Sequence, residues 1–159
     1  MNPAIRHARL ADAAVIAGFN AAMARETEHL ELDPARLEAG VRAVLSDASK
    51  GFYVVAEAGG RIIGQAMITY EWSDWRNAAF WWIQSVYVDP EFRGQGVFRQ
   101  LYEFLFEEAR RAGACGVRLY VERQNARARG AYERLGMRRA DYELYEVDFV
   151  IRRATESGS

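Results

Sequence analysis

Residues 86–99 read VYVDPEFRGQGVFR, and this stretch decides the fold that the sequence predicts. Large residues alternate from Phe80 to Val88, as expected of a buried strand, and Pro90 ends that strand. From Phe98 onward the apolar positions change to helical spacing, at Leu101, Tyr102, Leu105 and Ala109. The sequence therefore predicts a strand, a tight turn and a helix in immediate succession.

The turn between this strand and helix is rich in glycine. Gly94 and Gly96 flank Gln95, and glycine lets the backbone approach a ligand closely. The helix that follows begins with N–H groups that have no partner inside the helix, at the positive end of its dipole. This arrangement suits a phosphate or pyrophosphate group. The same arrangement also occurs in α/β proteins that bind no anion, so the loop alone leaves both interpretations open.

A second segment, residues 125–137, reads NARARGAYERLGM and follows a predicted strand at residues 116–121. The two segments together resemble the GNAT superfamily of N-acetyltransferases. Its loop pattern, Gln/Arg-x-x-Gly-x-Gly/Ala, is matched by Arg93 and Gly96. Its later pattern, Asn-x-x-Ala-x-x-x-Tyr-Glu-x-x-Gly-Phe/Met, is matched by Asn125, Ala128, Tyr132, Glu133, Gly136 and Met137. The resemblance covers roughly residues 5–149.

Phe98 departs from the family pattern, which usually has a small Gly or Ala at this position. Two interpretations follow. Either the ring turns into the core, or the cofactor sits slightly differently. We favour the first interpretation, because Phe98 belongs to the apolar stripe of the predicted helix.

Length and composition predict one globular domain. The chain has 159 residues, of which 50% are hydrophobic, enough for a single sizeable core. We expect this domain to span residues 1–153, followed by a disordered polar tail at residues 154–159. The net charge of −1 provides no overall field that would draw the chain to nucleic acid or to an anionic membrane. No nucleic-acid partner is expected.

The single cysteine, Cys115, excludes an internal disulfide and a cysteine-based metal cluster. We expect it to be a small buried residue near the start of a strand, and we predict no metal site. No apolar run approaches the roughly 20 residues of a membrane-spanning helix, and the N-terminus does not have the pattern of a signal peptide. The expectation is a cytoplasmic protein with no membrane contact.

Periodicity and turn residues divide the rest of the chain into strands and helices. Asp12 is a predicted N-cap, Asp33-Pro34 a predicted helix start, and Gly59-Gly60 the predicted turn of a hairpin. The predicted strands are residues 5–10, 52–58, 61–70, 79–88, 116–121, 137–140 and 142–149, with residues 71–77 as a loop. This order predicts a mixed α/β layer structure. The resemblance implies a GNAT-type acyl-CoA acyltransferase fold, a mostly antiparallel mixed sheet of about seven strands flanked by about four helices.

The resemblance also implies an acetyl-CoA-dependent N-acetyltransferase. In such a fold a central strand diverges from its parallel neighbour near Val86 and Val88, leaving backbone N–H groups for the pantetheine chain and the acetyl oxygen. Arg93 and Arg99 would add positive charge at the diphosphate, although arginines on a surface are commonly only solvated. The implied coenzyme A-binding residues are Val86, Tyr87, Val88, Arg93, Gly94, Gln95, Gly96, Val97, Phe98, Arg99 and Asn125.

Tyr132 is the implied general acid. The resemblance places its phenol near the thioester sulfur, where it protonates the departing thiolate. Asn125 and Tyr132 are about two helical turns apart, so we expect them on the same helix face. The alternative for Tyr132 is a core tyrosine that packs with Leu135.

The general base is less well defined by the sequence. The acceptor amine must lose a proton, and four carboxylates lie in segments that would border the acceptor side of a GNAT fold: Glu28, Glu31, Glu71 and Asp74. Glu71 is the first choice, because it directly follows a predicted strand. Each of the four is otherwise explained as a solvated loop carboxylate. Of the two histidines, His7 is expected to be structural, and His29 is a further candidate for the acceptor side.

Aromatic residues are dense in the segment Glu71–Arg76 and at Trp81-Trp82. Aromatic faces beside carboxylates suit a cationic ligand, which favours a small-molecule amine as the acceptor. The same residues would equally cover the sheet or form a homodimer contact, in which Trp is enriched.

Three other classes of protein are compared with a small-amine acetyltransferase, and the last of them is excluded. One is a non-catalytic GNAT-like module that binds acyl-CoA as a sensor or interaction partner, and another is a protein N-terminal or lysine acetyltransferase. The third, a dinucleotide or nucleoside triphosphate site, is excluded by spacing. The loop has Gly-x-Gly without the further Gly, and no Gly-Lys-Ser/Thr follows.

Overall fold

The computed structural model describes residues 2–122 and 124–153. They form two compact units, one up to Tyr120 and one from Val121 onward, and each unit is described by itself. The tail expected at residues 154–159 lies outside the described residues. No helix in the described ranges is both long enough and apolar enough to cross a membrane.

The first unit is built on a five-stranded sheet. In sheet order its strands are β1 (Ala4–His7), β2 (Phe52–Ala58), β3 (Arg61–Ser73), β4 (Ala78–Val88) and β5 (Gly116–Leu119). The pairings from β1 to β4 are antiparallel, and β4 pairs with β5 in parallel. The mixed α/β class expected from the sequence is confirmed.

The described residues contain four α-helices. The first unit has α1 (Ala13–Glu28), α2 (Pro34–Ser46) and α3 (Val97–Arg111), and the second unit has α4 (Ala126–Arg134). Short 3-10 turns lie at Leu10–Asp12 and Pro90–Phe92. Local sequence signals explain the boundaries of α2, because the Asp33 carboxylate accepts a hydrogen bond from the Ala35 N–H at 3.1 Å while proline occupies the first helical position.

The helices of the first unit cover the two faces of the sheet. Tyr53 and Val55 of β2 pack with Ile16 of α1 and Val41 of α2 in one buried cluster. Gly64 of β3 belongs to the opposite face, where a Cβ atom would lie 3.2 Å from Val97 Cγ1 and 3.5 Å from Leu101 Cδ1 of α3. Each fully buried aliphatic side chain of this kind contributes about 1.5–3 kcal/mol to folding.

The Asp12 prediction is only partly correct. Asp12 occupies the N-cap position of α1, but its side chain does not cap that helix. Its carboxylate instead accepts hydrogen bonds from the Arg9 N–H at 2.8 Å and from Arg6 Nη1 at 2.9 Å. The guanidinium of Arg6 holds the pKa of Asp12 below its ordinary value. The Asp12 side chain therefore bonds to Arg6 of β1 and does not cap α1.

The predicted loop at residues 71–77 is too long. The β3 strand continues to Ser73, and Glu71 pairs with Phe80 inside the ladder, so Glu71 does not follow the strand but belongs to it. The hairpin closes over residues 74–77, where Asn77 adopts a left-handed φ of 51°. Polar residues in this stretch resemble a loop locally, whereas pairing with Ala78–Phe80 extends the sheet.

The two closing strands predicted at residues 137–140 and 142–149 are absent. These residues are described, and none of them is in a strand, so the sheet has five strands instead of about seven. Their large apolar side chains are mostly exposed, at Tyr142, Leu144, Tyr145, Val147 and Phe149. Alternation indicates strand propensity, but a ladder also requires a partner edge in register, which local sequence does not supply.

Candidate functional site

The strand β4 extends well beyond its parallel neighbour. The last residues paired between them are Ile83 and Leu119, whereas β4 continues to Val88. In the described chain no residue of β5 lies opposite Gln84–Val88. Residues Gln84–Val88 of β4 therefore have no partner in β5, as the divergence implied near Val86 and Val88 requires; we call them the diverging half of β4.

A β-bulge lies at the start of this diverging segment. Met67 pairs with Gln84 and Gln65 pairs with Tyr87, so Ala66 alone lies opposite both Ser85 and Val86. Ser85 adopts a left-handed φ of 50°, which costs about 1–3 kcal/mol for a residue with a side chain. A bulge of this kind changes the direction of the backbone next to a site.

A buried polar chain lies behind the bulge. Gln65 is 0% exposed. Its Nε2 donates to the Ser85 carbonyl oxygen at 3.1 Å and to Asn20 Oδ1 at 2.8 Å. Asn20 Nδ2 donates to the Tyr53 hydroxyl at 3.4 Å. Burial raises the pKa of Tyr53. In the sequence these residues have only a weak signal, since Asn20 and Gln65 are polar residues inside apolar runs.

The Arg93 side chain is directed back onto the protein. Its Nε donates to the Val88 carbonyl oxygen at 2.9 Å, and its Nη2 lies 2.9 Å from Glu26 Oε2. The guanidinium carbon also lies 5.2 Å from the centre of the Tyr87 ring. Arg93 therefore ties the loop to the end of β4 and to α1, whereas the sequence predicts that it adds charge at a diphosphate.

Glu26 is the acid that connects these groups, and the sequence patterns do not point to it. Its Oε1 accepts a hydrogen bond from the Tyr87 hydroxyl at 2.8 Å. The contacts with Arg93 and Tyr87 hold the pKa of Glu26 below its ordinary value. Burial, and then this carboxylate, raise the pKa of Tyr87. At neutral pH Glu26 is thus an ionised anchor between α1 and the loop.

The remainder of the loop is tied down from the other side. Arg61, the first residue of β3, pairs with Asp89 at 2.6 Å and with Glu91 at 3.2 Å. Gln95 Nε2 donates to the Glu91 carbonyl oxygen at 3.2 Å. These contacts connect the loop to the start of β3 and join its own residues to one another.

The glycines of the loop adopt the conformations expected of them. Gly94 and Gly96 have φ values of 77° and 84°, in the region that glycine favours. Gly96 is the N-cap of α3, and the Gln100 N–H makes the first ladder bond to its carbonyl oxygen. Val97 at the first helical position is buried, and Arg99 is an exposed residue paired with Glu103. The start of α3 thus presents main-chain N–H groups beside a left-handed glycine.

The Phe98 ring lies on the apolar side of α3, as favoured from the sequence, but it is not fully buried in the core. It is half-buried, and its ring packs on buried Tyr102 with the ring centres 4.5 Å apart. The bulky residue thus joins the apolar side of α3.

Glu71 is held by two neighbours inside the sheet. Its Oε2 accepts a hydrogen bond from Trp82 Nε1 at 3.0 Å, and its Oε1 lies 2.5 Å from Arg118 Nη1. The Arg118 guanidinium carbon lies 3.6 Å from the centre of the Phe80 ring. The Tyr120 ring stacks on Trp82 at 4.4 Å.

The other candidates for the acceptor side lie at the end of α1, in the segment after it and at the tip of the β3–β4 hairpin. Glu28 ends α1, and the exposed His29 follows it with a left-handed φ of 53°. Glu31 lies 3.6 Å from Arg25. Asp74 is at the hairpin tip, where it accepts the Trp75 N–H. His7 is on edge strand β1 against Phe52, which fits the structural role expected of it.

The aromatic segment divides into two sets. Trp72 and Trp75 are 64% and 86% exposed at the β3–β4 hairpin. Trp81 is buried in the sheet beside Phe52 and Tyr70. Trp72 and Trp75 therefore offer an open aromatic surface at this hairpin.

Cys115 is half-buried, with Sγ 3.6 Å from the Ala78 carbonyl oxygen.

The second unit contains the remaining predicted residues. Asn125 caps α4, and its Oδ1 accepts the Ala128 N–H at 3.0 Å. Tyr132 is half-buried in the last turn of α4. Gly136 has a φ of 90° and ends the helix, with its N–H bonded to the Glu133 carbonyl oxygen. The predicted helix, its cap and its glycine exit are confirmed.

Known proteins match this chain in sequence and in fold. The family model described as the acetyltransferase (GNAT) family matches residues 13–137. The chain is 31% identical over 75 residues to thialysine N-epsilon-acetyltransferase of Bos taurus, a match that covers 47% of this chain and 44% of that protein. The matched part is therefore less than half the length of that relative.

Solved structures show the same architecture. The structure of a possible acetyltransferase from Clostridium difficile 630 has 44% identity and a TM-score of 0.86, and the alignment covers 95% of this chain and all of that one. A predicted acetyltransferase with acetyl-CoA from Clostridium acetobutylicum has 19% identity and a TM-score of 0.75, over 92% and 96% of the two chains, and shows the fold alone. With the family model matching most of its length, the chain belongs to the acetyltransferase (GNAT) family.

Proposed function

We propose that this protein is an acetyl-CoA-dependent N-acetyltransferase that acts on the primary amine of a small cationic metabolite. The observation that supports this most directly is the backbone path from the diverging half of β4 to the glycine loop at the start of α3. Main-chain groups beside a fixed helix N-terminus suit a long ligand with a diphosphate at one end.

In this proposal the pantetheine chain follows β4 along Val86, Tyr87 and Val88, and the diphosphate binds at residues 93–99. Backbone N–H groups supply most of the contacts there. Arg99 adds charge from the exposed side of α3, while Arg93 acts by holding the loop in place. Gly94, Gln95, Gly96, Val97 and Phe98 line the same turn, and Asn125 sets the start of α4.

The chemical step is direct attack. The amine nitrogen forms a bond to the acetyl carbon, the carbon–sulfur bond breaks, and the electron pair leaves with sulfur. Tyr132 donates its phenolic proton to that thiolate as general acid. A phenol with an ordinary pKa of about 10 still carries its proton at neutral pH. The acceptor amine gives up its own proton to a base or to water.

Glu71 is the proposed carboxylate for that proton. Both of its oxygens already accept a hydrogen bond, from Trp82 and Arg118. An ionised carboxylate has about four lone-pair positions, so capacity remains for an ammonium group or a bridging water. In this proposal Glu71 binds the cationic acceptor and receives its proton directly or through water.

Two features favour a small cationic acceptor. Trp72 and Trp75 are exposed on the hairpin that also holds Glu71 and Asp74, and aromatic faces beside carboxylates attract cations. The bovine relative is named for the ε-nitrogen of thialysine, which is an amine of this chemical class.

The test is thiol release from acetyl-CoA in the presence of a panel of polyamines, aminoglycosides, amino acids and peptides with free N-termini. We expect release that depends on a small cationic amine. Turnover with peptides alone would favour a protein acetyltransferase. Calorimetric binding of acetyl-CoA without any amine-dependent release would contradict catalysis and favour a non-catalytic acyl-CoA-binding module.

A further inference from the structure

We propose that Gln65, Asn20 and Tyr53 form a positioning network that holds the β4 bulge in the shape needed to receive the thioester of acetyl-CoA. This inference rests on the proposed function, because it assigns the bulge to the acetyl end of the ligand. The three residues act through Ser85, and none of them is proposed to touch the ligand.

The bulge requires support from outside β4. A left-handed serine persists only where its surroundings determine that conformation. Gln65 in β3 provides this support, because its Nε2 donates a hydrogen bond to the Ser85 carbonyl oxygen at 3.1 Å. Tyr53 contributes from β2 through Asn20, whose Nδ2 donates to the Tyr53 hydroxyl at 3.4 Å. The main chain of the strained residue is therefore held by Gln65, and Gln65 in turn is held by Asn20.

The network reaches helix α1 through Asn20. Its Oδ1 accepts from Gln65 Nε2 at 2.8 Å, and its Nδ2 donates to the Tyr53 hydroxyl at 3.4 Å. All three side chains are buried. Three elements, α1, β2 and β3, are thus joined in one network that reaches β4 at Ser85 through Gln65.

Packing alone does not explain a glutamine at this place. Within the described residues Gln65 Oε1 is buried and has no hydrogen-bond donor. A buried acceptor without a partner destabilises the fold, and an apolar side chain of the same size would avoid that cost. What glutamine provides and an apolar side chain would not is the hydrogen bond to the Ser85 carbonyl oxygen. This bond fixes the backbone conformation of Ser85 in the diverging half of β4.

The consequence is a specific kinetic pattern. The diphosphate contacts proposed at residues 93–99 are separate from the bulge, so losing the network should leave acetyl-CoA affinity almost unchanged. Misplaced backbone groups at the acetyl end should instead lower kcat. We expect Gln65→Met to reduce kcat about 10- to 100-fold with a change of less than about twofold in the KM for acetyl-CoA. Tyr53→Phe, which keeps the ring in the core, should reduce kcat in the same direction by less.

Val54→Ala is the matched control. Val54 neighbours Tyr53 in β2 and is fully buried, but its side chain faces the opposite side of the sheet. Its truncation lowers stability without touching the network. We expect kcat of the control to stay within about twofold of the unsubstituted protein at a temperature where all variants are folded. An equal loss of kcat in the control would overturn a positioning role for Gln65.

A ligand comparison separates this inference from the proposed function. Amide NMR signals of Ser85–Tyr87 should respond differently to acetyl-CoA and to free coenzyme A in the unsubstituted protein, and this difference should be reduced in Gln65→Met and Tyr53→Phe. Identical responses to both ligands in the unsubstituted protein, or an undiminished difference in both variants, would overturn the network. Absence of amine-dependent thiol release would count against the proposed function alone, because the NMR comparison needs no turnover.

Discussion

At the scale of single residues, Tyr132 has the most direct part in the proposed chemistry. Replacing it with Phe removes one hydroxyl and keeps the half-buried aromatic ring. We expect Tyr132→Phe to lower kcat about 100-fold, because the departing thiolate loses its proton donor, while the calorimetric Kd for acetyl-CoA stays within about twofold. Tyr145→Phe, at an exposed tyrosine, is the control for the substitution itself. Equal turnover in the Tyr132→Phe and unsubstituted proteins would remove Tyr132 from the mechanism.

Arg93 shows how a residue can match a family pattern while its side chain makes contacts that the pattern does not predict. Its position in the loop is evident from the sequence. The direction of its guanidinium is not, because the partner Glu26 is 67 positions away in the chain. An exposed arginine has no preferred direction until a carboxylate is brought within hydrogen-bond distance. The pairing therefore depends on how α1 packs beside β4.

At the scale of elements, the start of α3 depends on a left-handed glycine. We expect Gly96→Val to raise the Kd for acetyl-CoA at least about tenfold, because a β-branched residue at φ 84° forces the loop into another conformation. Isothermal calorimetry measures this directly. Gly113→Val is the matched control, since Gly113 has a φ of 76° at the other end of the same helix. An unchanged Kd in Gly96→Val would exclude the loop as the diphosphate site.

The ion pair between Arg6 of β1 and Asp12 at the start of α1 makes the stability of the fold depend on pH. The pKa of Asp12 is lowered in the folded protein, first by its hydrogen bond from Arg6. Its contribution is therefore present above the unfolded pKa of about 3.9 and is lost as pH falls through the folded value. We expect Asp12→Asn to lower the free energy of unfolding by about 2 kcal/mol at pH 7.

The contribution of the Arg6–Asp12 pair is measured by thermal unfolding at two pH values. The difference between Asp12→Asn and the unsubstituted protein should shrink when the pH is taken to about 3, below the unfolded pKa. Asp141→Asn, at an exposed position, should have little effect at either pH. A difference that is as large at low pH as at neutral pH would contradict the assigned pairing.

At the scale of the whole molecule, ligand binding should stabilise the fold that binds it. Acetyl-CoA at about 100 times its Kd adds about 2.7 kcal/mol to the free energy of unfolding. For a protein of this size, that corresponds to a rise in Tm of about 5–10 °C. Differential scanning fluorimetry measures the shift, and Gly96→Val at the same ligand concentration should show a smaller one. No shift in the unsubstituted protein would argue against acyl-CoA binding of any kind.

The sequence by itself determines the local parts of this protein. The Asp33-Pro34 start, the Gly59-Gly60 turn, the glycine loop and the capped helix α4 follow from short-range steric and hydrogen-bonding preferences. The two motifs also suffice to identify the family. Each of these features depends on residues a few positions apart, so composition and spacing contain the necessary information.

The remaining features depend on contacts between distant segments. The bulge at Ser85, the Gln65–Asn20 hydrogen bond, the Glu26–Arg93 pair and the extension of β3 through Glu71 are all of this kind. The absence of strands at residues 137–149 belongs to the same class, because strand pairing needs a free edge in register as well as an alternating pattern. Local preferences are weak beside burial and long-range hydrogen bonding, which arise only once the chain has packed.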